Sequence, residues 1–177
     1  MSRLRTLAMF PVCATLITAN SAFANDFVKE IGNYMQVIVP AYAFGMAMNE
    51  SDWQGSRQFA YSFAATELSV LGLKSVIDET RPNGSNKNSF PSGHTAAAFN
   101  GAVFIHKRYG FNRAIIPYMM AGFTGYSRIA SDMHYLHDVV AGAAIGGLFS
   151  WFLTSKYENV CLSAGNDHVN VQFKTSF

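Results

Sequence analysis

The chain has 177 residues, a net charge of +2, half of its residues hydrophobic and only 14% charged. That length suits one domain of ordinary size, and the few, scattered basic residues exclude a nucleic-acid surface. A soluble domain usually carries about 25% charged residues, so the shortfall points to a membrane protein or an unusually apolar helical core.

The N-terminus reads as an export signal. Arg3 and Arg5 make a positive start, residues 7–19 are mostly apolar, and Ala22-Phe23-Ala24 is a small-residue cleavage site leaving Asn25 as the mature N-terminus. The rival is an uncleaved first transmembrane helix. Cleavage is favoured because the apolar run falls short of the ~20 residues a span needs. Residues 1–24 are therefore expected to be a leader and 25–177 a single domain. Cys13 lies in the leader, so Cys161 stands alone, and neither an intramolecular disulfide nor a zinc-type Cys pair is available.

Apolar stretches rich in Ala, Met, Leu and Phe then alternate with polar connectors, without period-two alternation. Helices are predicted over 34–48, 59–77, 95–106, 114–126 and 138–153. Loops are predicted over 49–58, the Asn/Gly/Ser-rich 82–90, 107–113 and 127–137. Residues 169–173 alternate weakly, as a short strand or frayed end would. The expected fold is all-α: an antiparallel bundle of five or six helices with its active site at one end. Runs of 12–16 residues reach only about 18–24 Å, less than a ~30 Å hydrocarbon core. Trp53 and Trp151 near predicted helix ends fit a membrane interface, and Gly142-x3-Gly146 permits close helix contact in lipid or in water.

Chemistry-bearing residues gather at the predicted helix ends on one side. Lys74 and Arg81 are seven apart, which on a helix would put them on one face, and Pro82 turns Arg81 toward a loop. An Arg fork and a Lys point charge suit phosphate oxygens, though two solvated cations near a helix C-terminus would look the same. Ser92 and Gly93 open the next helix, where free N–H groups favour an anion; an ordinary Ser cap beside an exposed His94 is the plainer reading. His134 and Asp138 form an i, i+4 pair if the turn is helical. Asp138 would then accept one ring N–H and leave the other nitrogen free to attack. A surface His–Asp pair is the plain alternative, and a metal site lacks a third ligand at suitable spacing. His137 is a decoy beside Asp138, and His106 and His168 are given no role. The opposite side receives Arg57, Lys107, Arg108, Arg113 and Lys156, which the positive-inside rule would make cytoplasmic.

Taken together, Lys74-x6-Arg81-Pro82, Pro91-Ser92-Gly93-His94 and Ser127-Arg128-x5-His134-x3-Asp138 resemble the three-part signature of the type 2 phosphatidic acid phosphatase family. That family includes bacterial acid phosphatases and vanadium haloperoxidases. Every signature position matches, over about a third of the chain.

The resemblance implies a hydrolase in which His134 attacks phosphorus to give a phosphohistidine, with Asp138 orienting it. His94 protonates the leaving oxygen and then activates water. Lys74, Arg81 and Arg128, with Ser92 and the Gly93 amide, bind the equatorial oxygens. It implies no metal and no cofactor, since three cations take the place of magnesium. The expected substrate is a phosphate monoester or pyrophosphate, of a lipid such as a phosphatidate, a prenyl pyrophosphate or lipid A, and no nucleic acid is a partner. Location is expected at the inner membrane with a periplasm-facing site, or in the soluble periplasm. A soluble periplasmic acid phosphatase is the nearest alternative. A haloperoxidase, usually a much longer chain, and a non-catalytic phosphate-sensing protein are more remote.

Overall fold

The computed structural model describes residues 9–164 and 169–175, with side chains described over 25–157. Five helices run in order: α1 Met9–Asn49, α2 Trp53–Val76, α3 Gly93–Tyr109, α4 Phe111–Ala130 and α5 Leu136–Leu153. A hairpin of β1 Glu158–Ala164 and β2 Val169–Thr175 follows, paired antiparallel with Val160 opposite Phe173. The all-α expectation holds for the body of the chain, and the alternating tail is a strand.

The helices overrun their predicted ends. α2 to α5 contain 24, 17, 20 and 18 residues, or about 25–36 Å at 1.5 Å per residue. Polar residues assigned to loops, such as Gln54, Arg57, Lys107 and Arg108, are wound into helix; all four are good helix formers, and Arg108 is buried there by its pairing with Asp52. The connections after α1, α3 and α4 are short, and successive helices run antiparallel. Asp52 caps α2 through a bond from the Gly55 N–H at 2.8 Å. Gly110 alone joins α3 to α4 at φ 95°, a conformation that favours glycine.

α3 is the central helix and packs against the other four. Its Ala96, Ala97, Ala98 and Ala102 are buried, which keeps it thin. At Gly101 an added Cβ would lie 3.0 Å from the Pro40 nitrogen of α1. The expected contact at Gly142 and Gly146 is realised: a Cβ there would overlap the carbonyl oxygens of Ser92 and Ala96, so α5 lies directly on α3.

Polarity is inverted relative to a water-soluble bundle. α5 buries Asp138, Gly142, Gly146 and Ser150 and exposes Leu136, Val140, Leu148 and Phe152. α2 buries Ser56, Ser62 and Thr66 while Leu68 and Leu71 are exposed. Among the described residues, α5 is the one helix both long and apolar enough to cross a bilayer.

At one end, buried Arg108 holds Asp52 bidentately, with the Tyr109 hydroxyl 2.8 Å from the same carboxylate. The same guanidinium donates to the Ser155 and Lys156 carbonyls at 3.0 and 3.1 Å, tying α2, α3 and the chain after α5 together. Arg113 pairs with Glu50 at 2.7 Å nearby. The other end carries Lys29, Lys74, Arg81, Lys87 and Arg128, as many basic residues as the first. Over residues 25–157, the charge asymmetry expected from the positive-inside rule is therefore absent.

Candidate active site

Antiparallel packing brings the C-termini of α2 and α4 and the N-termini of α3 and α5 to the second end. Two loops fold over it. The first, 77–92, is braced by Glu79 N–H to Lys87 O at 3.1 Å, Arg81 N–H to Asn86 O at 3.0 Å and Ser89 N–H to Glu79 O at 3.0 Å. It is tied to the second by Asn83 N–H to Asp132 O at 3.0 Å.

Arg81 reaches the site by this route and not along a helix. α2 stops at Val76, with Ile77 already extended at φ −106°, so Lys74 and Arg81 do not share a helical face. Loop hydrogen bonds to the Glu79 and Arg81 amides compete successfully with continuing the helix from Val76 to Arg81, about one and a half turns. Arg81 Nη1 lies 3.7 Å from Met133 Sδ, and its buried Nε has no hydrogen-bond partner among the described residues. Lys74 Nζ donates to the Asn88 carbonyl at 2.7 Å.

His134 is buried, 4% exposed, and precedes α5. The expected helical i, i+4 relation is absent, because Tyr135 is the N-cap and only Asp138 lies inside the helix. Instead Asp138, fully buried, reaches back as part of a capping box. Its Oδ2 accepts from the Tyr135 N–H at 2.9 Å and from the Ser89 hydroxyl at 2.5 Å, and lies 3.4 Å from His134 Nδ1. One carboxylate thus caps the helix and faces the ring.

Burial pushes the His134 ring down to about 4 from an ordinary value near 6.5. Lys74 and Arg81 add to the shift and Asp138 opposes it. The imidazole is therefore neutral at neutral pH.

Ser92 N-caps α3 by position, but its buried hydroxyl pairs with Thr95 Oγ1 at 2.9 Å and makes no cap bond. The Gly93, His94 and Thr95 N–H groups therefore have no protein partner among the described residues. At Gly93 a Cβ would meet only Val70, at 3.4 Å. His94 Nε2 lies 3.2 Å from Asn33 Oδ1, which also accepts from Arg128 Nη1 at 2.8 Å. Asn33 Nδ2 donates to Glu30, which fixes the amide's orientation, so His94 Nε2 carries a proton. Arg128 is buried and donates to the Lys29 carbonyl at 2.6 Å and to Ser127 Oγ at 3.0 Å.

The predicted residues converge. The charges of Arg128, Arg81 and Lys74 and the His134 ring all act on His94. Five buried side-chain polar atoms lack a hydrogen-bond partner among the described residues, and three of them are here: Arg81 Nε, His134 Nδ1 and Asp138 Oδ1. His137 Nε2 is 3.0 Å from Asp138 Oδ1 without hydrogen-bonding alignment, and 2.8 Å from Glu79 Oε1. The His137 side chain is 58% exposed and its ring stacks on Tyr135, so it lies toward solvent, unlike the buried His134. Glu79, His137 and Asp138 place ligand-type atoms within 4.8 Å of one another, a grouping invisible in linear spacing. Asn33 and Ser89 were not singled out in the sequence; each acts through a partner far along the chain.

A helical bundle that gathers three cations, open helix-start amides and a buried His–Asp pair at one end is an oxyanion-handling fold. The PAP2 superfamily model matches residues 10–160, and the chain belongs to that superfamily. It is 36% identical to a lipid A 1-phosphatase of Porphyromonas gingivalis over 84% of this chain, but spans only 41% of that protein's length. Against a lipid A 4'-phosphatase of Helicobacter pylori it is 27% identical, covering 74% of this chain and 71% of the other. The crystal structure of Aquifex aeolicus LpxE superposes with a TM-score of 0.64 at 21% identity, over 74% of this chain and 85% of that one. A Bacillus subtilis transmembrane PAP2-type phosphatidylglycerolphosphate phosphatase gives 0.58 at 23%, over 78% and 84%. These two likenesses concern the fold.

Proposed function

We propose that the protein is a lipid phosphate phosphatase of the bacterial envelope that works through a phosphohistidine and needs no metal. The observation that carries this reading is the convergence of Lys74 and Arg81 on a buried, neutral His134 backed by Asp138, with Arg128 beside His94 through their shared Asn33. A phosphoryl group set among the three cations and the Gly93 amide would have His134 Nε2 behind phosphorus. Attack forms the N–P bond as the ester P–O bond breaks. His94 gives the leaving oxygen its proton, then takes one from the water that cleaves the N–P bond. The positive charges offset negative charge on the equatorial oxygens, the role a magnesium ion fills elsewhere. In this structure the Ser92 hydroxyl would have to turn from Thr95 to join them.

The apolar outer faces of α2 and α5 support a membrane-embedded body whose substrate is a lipid, and the lipid A phosphatase relatives support the same class. The test is purified protein in detergent, offered lipid phosphates and soluble aryl phosphates with EDTA present. Phosphate release, with an acid-labile phosphoprotein trapped during turnover and absent in His134→Ala, is the expected result. No release without added magnesium, or an acid-stable phosphoprotein, would overturn the mechanism.

A further inference from the structure

A groove of about 500 Å³ opens between α1 and α2 directly beneath the site. Its register with the site follows from the helices. Gln36 on α1 is three residues past Asn33, and Ala97 on α3 is three past His94, so each lies about 4.5 Å below a site residue. From there the α1 wall continues through Pro40 to Phe44, and the α2 wall through Phe63 to Phe59. The aromatic rings form a continuous lining, with Phe59 5.7 Å from Phe63 and 6.2 Å from Phe44, centre to centre.

One residue does not fit an apolar slot. Glu67 lines the groove half-buried, and no hydrogen bond or ion pair joins it to another described residue. It lies seven residues before Lys74 on α2, about 10 Å down the helix axis. A carboxyl in a lipid-facing helix is costly and marks a polar task. Gln36 is the other polar side chain on the lining.

Resting on the phosphatase reading, we infer that this groove holds one hydrocarbon chain of the lipid substrate. Glu67, with Gln36, accepts a hydrogen bond from a hydroxyl or amide N–H carried on that chain within about 10 Å of the phosphate. The occupant is committed by continuity, because the groove shares its helices with the phosphate site and begins one turn below it. Polar complementarity sets the class: a hydroxyacyl or amide-linked chain satisfies the carboxyl. A polyprenyl chain, which has no donor, would strip its water and leave it unpaired. Sites built to bond a donor reject analogues lacking it.

The experiment measures kcat/KM in mixed micelles for two lipid phosphates of matched length. One carries an amide-linked hydroxyacyl chain beside the phosphate, the other is a polyprenyl phosphate. The wild type is expected to favour the first by about tenfold or more. Glu67→Leu should collapse that ratio toward one, whereas Glu67→Gln, which keeps an acceptor oxygen, should retain most of it. A wild type without preference, or a Glu67→Leu variant with an unchanged ratio, overturns the inference while leaving the phosphatase reading intact. Should Glu67→Leu fail to fold, Gln36→Leu is read in the same way. A wild type that hydrolyses neither lipid sinks the phosphatase reading and this inference with it.

Discussion

In the proposed mechanism His134 is the nucleophile, and its surroundings set its pH behaviour. Burial and the Lys74 and Arg81 charges hold the ring down to about 4, so the neutral form persists well below the ordinary histidine range. The acid limb of kcat/KM belonging to the free enzyme should fall through about pH 4 and not through 6.5. Replacing Lys74 by Gln removes one of the depressing charges, which raises the His134 pKa. The limb should then move to higher pH, measured on an aryl phosphate whose own ionisation is common to both proteins. A limb that stays put or moves down would show that His134 is not the titrating group. A second contrast separates the two neighbouring histidines. His134→Ala should lower kcat by about 10³-fold or more, whereas His137→Ala, an exposed ring stacked on Tyr135, should keep most activity. The reverse result would reassign the nucleophile. The signature residues were legible because their spacing is local. Asn33 and Glu67 were not, since Asn33 meets Arg128 across 95 positions and Glu67 matters only through the groove it lines.

At the scale of the elements, helix number and order could be read from apolar runs, but helix ends could not. The α2 terminus shows why: Lys74 to Arg81 has helical spacing, yet bonds to the Glu79 and Arg81 amides draw the chain into a loop. Those bonds join residues from eight positions away down to five, and periodicity does not register them. The α5 start is similar, because a capping Asp138 that also faces His134 obeys geometry and not composition. Glycine spacing was the more reliable guide. Gly142 and Gly146 seat α5 on the Ser92 and Ala96 carbonyls, and this contact sets Asp138 at its distance from the first turn of α3, where the Ser92 N–H donates to the Asp138 carbonyl at 3.0 Å. Gly146→Val should therefore force the helices apart, costing at least about 1–3 kcal/mol by overpacking, and lower the unfolding temperature in detergent. Gly147→Val, whose added Cβ meets only Val103 Cγ2 at 3.6 Å, is the control and should change it little. Equal melting temperatures for the two variants would show that α5 does not rest on α3 as described.

For the whole molecule, the proposed membrane placement has an orientation that can be tested. With the basic residues evenly divided between the ends over residues 25–157, the positive-inside rule gives no orientation, and the expected leader, if cleaved, would supply one. The length of α1 bears on it. Asn33 is level with His94 and Asn49 adjoins the opposite end, so residues 33–49 already cross the bundle, about 24 Å. The helix runs 41 residues from Met9, which extends it well past the active end. Cleavage after Ala24 would leave α1 about as long as the 24-residue α2, matched to the bundle it serves. Removal of the leader by a periplasmic peptidase would also place the Asn33 end, and the phosphate site with it, on the periplasmic side. The expected outcome is an intact mass beginning at Asn25 for protein extracted by detergent from washed membranes. Whole cells should then hydrolyse an aryl phosphate that does not cross the inner membrane. A mass beginning at Met1 would make α1 a retained anchor, and recovery in the detergent-free soluble fraction would refute embedding. Activity appearing only after the inner membrane is broken would turn the bundle over.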